Sequence, residues 1–155
     1  MSEPTILERI QKDLAAAMKE RDADTTSTLR MLKAALMEAK TRKAKDEAMG
    51  ADEEIAVLRR YVKQRRETLE SLKGKGDAAL EAREEREITV TERYLPAAMG
   101  DDELASLVEQ AIAKTGAAGP KDMGRVIGAV MAQVKGRADG NAVSRIVKAK
   151  LAPPA

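Results

Sequence analysis

The sequence predicts an all-α protein, and three observations carry that expectation. Apolar residues recur every three or four positions along most of the 155-residue chain. Ala, Glu, Lys, Leu and Arg dominate, and charged residues make up 35% of the total. The chain has no Phe, Trp, Cys or His and only two tyrosines, Tyr61 and Tyr94, so its core must come from Leu, Ile, Val, Ala and eight methionines. The length fits one domain or two small ones in series. A change of texture at Pro96 divides it into a helical N-terminal domain, 1–95, and a small three-helix C-terminal domain, 96–155.

The first helix is expected from about Thr5 to Arg21, with Thr5 as its N-cap and Ile6, Ile10, Leu14 and Met18 as its stripe. The polar run "DADTTST" reads as a break. A second helix then carries "LRMLKAALMEAKTRKAKDEA", with Leu29, Leu32, Leu36 and Ala39 on one face. The turn "MGAD" leads to a third helix that Asp52 could cap, striped by Ile55, Leu58, Val62, Leu69 and Leu72. Arg65 stands in that stripe where an apolar residue is expected. "KGKGD" ends it, and "AALEAREEREITVTERYLP" follows as a weakly amphipathic helix. Within that segment "ITVTERY" favours a strand locally but has no obvious partner strand.

Beyond Pro96, "GDDELASLVEQAIAKTG" reads as one helix, with acids in its first turn and Gly116 in a left-handed C-terminal position. Two further helices follow, the first beginning near Pro120. Gly124 and Gly128 lie one turn apart, each costing roughly 1 kcal/mol relative to Ala. Close helix–helix packing, or close approach of a partner's backbone, would account for them. In the turn "KGRADG", Gly136 ends one helix and Asp139 or Asn141 caps the next, ahead of or just after Gly140. Lys135 and Arg137 fit two roles equally: partners of a helix dipole, or a phosphate clamp beside a helix N-terminus. Arg145 and Lys148 share a polar face opposite Val143, Ile146, Val147 and Leu151.

Net charge is +2, but its distribution is uneven. Residues 1–25 carry −2, 26–66 carry +5, 67–110 carry −7 and 111–155 carry +6. The blocks either neutralise one another in the fold or leave a basic surface for a polyanion. The basic runs "KTRKAK" and "RRYVKQRR" are the densest. The absence of Cys and His removes thiolate chemistry, cysteine zinc sites and imidazole bases. No apolar run reaches the roughly 20 residues of a membrane span, and "MSEPTILERI" lacks the marks of a signal peptide. A soluble cytoplasmic protein with no membrane partner, no metal and no cofactor is expected.

"RMLKAAL", "RYLP" and above all "KDMGRVIGAVMAQVKGRADG" (121–140) resemble the GatB/YqeY family, chiefly its free-standing YqeY-like proteins. Residues 96–151 also resemble the tail of the B subunit of glutamine-dependent tRNA amidotransferases. Gly100 stands where that family often has a serine cap, and "MAQVKG" where a proline after Met is common. The resemblance implies a helical domain followed by a three-helix one, and an association with tRNA. With that association, the first expectation is a tRNA-binding accessory module without catalytic residues of its own, with the basic side chains Lys121, Arg125, Lys135, Arg137, Arg145 and Lys148 as its RNA contacts. Aminoacyl-tRNA synthetase or amidotransferase components are the further partners it suggests. Two alternatives remain: a component of a carbon–nitrogen ligase with glutamine as amide donor, and a helical protein–protein adaptor.

Overall fold

A computed structural model describes residues 3–152, and all regular structure among them is helical. Seven α-helices follow one another: α1 (Ile6–Lys19), α2 (Ala23–Thr41), α3 (Ala51–Leu72), α4 (Ala78–Glu92), α5 (Asp101–Thr115), α6 (Met123–Val134) and α7 (Gly140–Leu151). A 3-10 turn, Pro120–Asp122, leads into α6. The chain divides into two compact units, Met1–Leu95 and Pro96–Ala155.

In the first unit α1 and α2 pair as one hairpin and α3 and α4 as another, with α2 against both α3 and α4. Ile10, Leu29, Leu32, Leu36 and Leu58 are fully buried between them. The start of α1 accounts for each of its otherwise orphaned donors. Thr5 Oγ1 accepts from Glu8 N–H at 3.1 Å, and the Glu8 carboxylate accepts from Thr5 N–H at 2.9 Å. Ile6 and Leu7 N–H donate instead to the two oxygens of Glu54, at 3.2 and 2.9 Å. Glu54 is buried, so this long-range cap also pins α1 to the first turn of α3.

Several expected boundaries shift, each for a local reason. The break after α1 shrinks to three residues, because Asp22 caps α2 by accepting from Thr25 N–H at 3.1 Å. That bond holds the Asp22 carboxyl below its usual range. "DADTTST" is therefore mostly helix, with Thr26 and Thr28 buried. α2 ends at Thr41, and the residues "KAKDEA" lie outside it. Gly50, not Asp52, is the N-cap of α3. Met18 is 52% exposed and leaves its expected place in the core to Ala17. "ITVTERY" is helical through Glu92, with Ile88, Val90 and Thr91 buried.

Arg65 interrupts the α3 stripe because its partners are charged. Glu84 and Glu87, both buried on α4, lie 3.5 and 3.7 Å from Arg65 Nη1. The Arg65 guanidinium also sits over the ring of Tyr61 at 5.3 Å. Burial first, then the Glu87 charge, pushes the Tyr61 phenol up to about 12. Tyr94 closes the unit from its far end: its hydroxyl donates to Asp13 at 2.5 Å and Arg9 covers its ring. Both tyrosines are thus core residues with a polar tip.

The second unit is a three-helix cluster in which α6 packs on both α5 and α7. Val126, Val130 and Val134, one per turn of α6, meet Val108 of α5 and Val143 and Val147 of α7, all fully buried. Gly100 caps α5, and Gly116 ends it at φ 71°. Pro120 opens the 3-10 turn ahead of α6.

Candidate nucleic-acid interface

Every second-unit cation chosen from sequence lies on or beside α6 and α7, and the structure sorts them by availability. Lys121 and Lys135 are exposed and make no hydrogen bond or ion pair among the described residues, as are Arg145 and Lys148 on α7. Arg125 is exposed but donates to Asp122 at 3.1 Å. Asp122 in turn accepts from Ala118 N–H at 3.0 Å, and these contacts hold its carboxyl below the usual range.

Arg137 is employed inside the unit. Nη1 and Nη2 donate to the two oxygens of Glu103 at 3.0 and 3.1 Å, and Nε donates to the Ala97 carbonyl at 3.1 Å. Its own carbonyl accepts from Met99 N–H at 2.8 Å. Three of its five donors are committed, so Arg137 fastens residues 97–99 to the α6–α7 turn and is the least available of the six cations. Sequence reasoning could not see this, because Glu103 lies 34 residues away. Removing the side chain should cost about 1 kcal/mol, since the pair is partly exposed. Arg137→Ala should speed amide exchange at Met99 and leave the α6 core protected; unchanged exchange at Met99 would contradict the role.

The turn also differs from an anion cradle at its other end. Asp139 caps α7 by accepting from Ala142 N–H at 2.7 Å, which puts a carboxylate where a phosphate would have bound. The helix reversal uses two left-handed residues, Lys135 at φ 47° and Gly136 at φ 80°, so a lysine takes the position expected of glycine alone.

Of the two accounts of Gly124 and Gly128, close packing within the unit fails. Both are exposed, and a Cβ built on either would meet no atom within 4 Å. Packing within the unit therefore does not require them. With Ala132 they leave a strip along one side of α6 without bulk, bordered by the exposed Met131 and by Lys135, with Lys121 and Arg125 at its start. Gly140, at the first position of α7, is likewise exposed and unobstructed.

The basic run of the first unit is largely spent. Arg66 pairs with Glu92, Arg65 with Glu84 and Glu87, and Lys43 with Glu53 at 2.5 Å. Acidic α4 thus neutralises much of basic α3. No group of three His, Cys, Asp or Glu residues among the described ones could hold a metal ion. No helix among them is long and apolar enough to cross a membrane.

Residues 7–151 match the protein family described as Yqey-like protein. The chain belongs to the YqeY-like family. A similar protein is altered inheritance of mitochondria protein 41, mitochondrial, from Pyrenophora tritici-repentis. It is 28% identical over 153 residues, covering 94% of this chain and 81% of that one. The match spans nearly all seven helices of both units.

Proposed function

We propose that the protein is a tRNA-binding accessory module without catalytic chemistry of its own, related to the tail of the amidotransferase B subunit. The observation that supports this best is the open side of α6. A helix of 12 residues keeps two glycines that its own packing does not use, at a propensity cost of about 2 kcal/mol. They suit a partner whose backbone comes close from outside. The free lysines at the two ends of that side, Lys121 and Lys135, favour a partner that carries negative charge. Arg125, Arg145 and Lys148 add to the same positive field, while Arg137 holds the turn in place. A cytoplasmic setting belongs to this reading; the similar protein's name assigns that protein to mitochondria.

Fluorescence anisotropy of labelled tRNA against the full chain, across a salt series, tests the proposal. Saturable binding with a log–log slope of roughly −0.7 to −0.9 per phosphate contact is expected. Lys121→Ala with Lys135→Ala should flatten the slope by about 1.5 units. No saturable binding near physiological salt would refute the RNA reading and favour the helical protein adaptor. Transamidation by the purified chain alone would favour the ligase reading.

A further inference from the structure

A second surface of the molecule is not absorbed by this reading. Facing sides of α2 and α3 enclose an open cleft of roughly 250 Å³ in the first unit. Ala35, Glu38 and Ala39 line it from α2, and Val57 and Tyr61 from α3, so its walls are apolar and polar in about equal measure. Arg42 and Arg60 supply a cation from each side. Arg60 is exposed and makes no hydrogen bond or ion pair among the described residues. Arg42 pairs among the described residues with Glu38 alone, one turn away at 2.8 Å, with both side chains about two-thirds exposed. Such a pair yields readily to a stronger anion. Gln64 adds an amide that can both donate and accept.

We infer that this cleft holds one unpaired nucleotide of a bound RNA, its base against the Ala35, Ala39 and Val57 walls and its phosphate between Arg42 and Arg60. The inference rests on the RNA reading above and adds a site to it. Three features select this occupant. The volume is that of a single nucleotide rather than of a helix. Arg42 and Arg60 outnumber the one carboxylate of the cleft, Glu38, and neither is neutralised by acidic α4, unlike Arg65 and Arg66. The methyl groups offer a base an apolar contact, the Gln64 amide a hydrogen bond for its edge, and the two guanidiniums a charge-assisted hold on a phosphate. A duplex has no free base to offer, so the cleft should distinguish unpaired from paired RNA.

The test uses the full chain with a six-nucleotide single-stranded RNA, a blunt duplex RNA and tRNA, all read by anisotropy. The single strand should bind and be displaced poorly by the duplex. Ala39→Leu fills the cleft without altering charge and should weaken single-strand binding about tenfold with its salt slope unchanged. Arg42→Ala with Arg60→Ala should weaken it to a similar degree and flatten the slope. Unchanged far-UV circular dichroism would show that each variant is folded. The inference is overturned if folded Ala39→Leu binds the single strand as the parent does, if duplex competes equally, or if the single strand does not bind. Were tRNA binding to persist in that event and depend on Lys121 and Lys135, only the cleft assignment would fall. Loss of tRNA binding by the parent chain would remove both.

Discussion

Glu54→Ala should destabilise the first unit by about 2–4 kcal/mol. The carboxylate is buried, and it is the acceptor for two consecutive backbone donors at the start of α1, Ile6 and Leu7. Alanine would leave both N–H groups buried or half-buried without a partner and would cut the tie between α1 and α3. Glu54→Gln should lose less, because its amide oxygen retains one of the two bonds while its NH2 opposes the other. Both tyrosines lie in the first unit and there is no tryptophan. Near-ultraviolet circular dichroism in urea therefore reports this unit alone, while the far-ultraviolet signal reports both. The expected result is an earlier near-ultraviolet transition, with a part of the far-ultraviolet transition left in place. A shift below about 0.5 kcal/mol would show that water replaces the cap and that the bond contributes little.

The contrast between Glu54 and Arg65 shows what a sequence can and cannot reveal about such contacts. Arg65 is conspicuous because it breaks an apolar stripe, and that anomaly points to a buried partner; its identity, Glu84 with Glu87, needs the fold. Glu54 leaves no such trace, since an acid in the first turn of a helix is the ordinary dipole arrangement. The helical class was legible throughout because spacing of Leu, Ile and Val is a local property. The start of α2 was not, because a capping Asp followed by Thr-rich helix has the composition of a loop until the side-chain bond of Asp22 is seen. At the candidate interface the residue types could be named from sequence, but their availability could not. Arg137 and Lys135 are two residues apart and equally basic, yet one is fastened to Glu103 and Ala97 and the other is free.

Gly124→Ala combined with Gly128→Ala should move stability and binding in opposite directions. Neither position has a positive φ, and a methyl at either meets no neighbour, so alanine is accommodated without strain. It removes backbone freedom from the unfolded chain and should stabilise the second unit by about 0.4–1 kcal/mol per site. For a unit of this size, 1 kcal/mol raises the melting temperature by about 4–8 °C. Amide exchange across α6 in the full chain should slow accordingly. The same two methyls stand on the open side of α6, between Lys121 and Lys135, and would hold an incoming phosphate backbone away from the helix. tRNA affinity should fall about tenfold, equivalent to roughly 1.4 kcal/mol, with both lysines still in place. A glycine pair carried without consequence would give the gain in stability and no loss of affinity. Loss of affinity with no gain in stability would mean instead that the methyls disturb the helix. Only slower exchange together with weaker binding identifies a surface kept low for a partner at the expense of the helix that presents it.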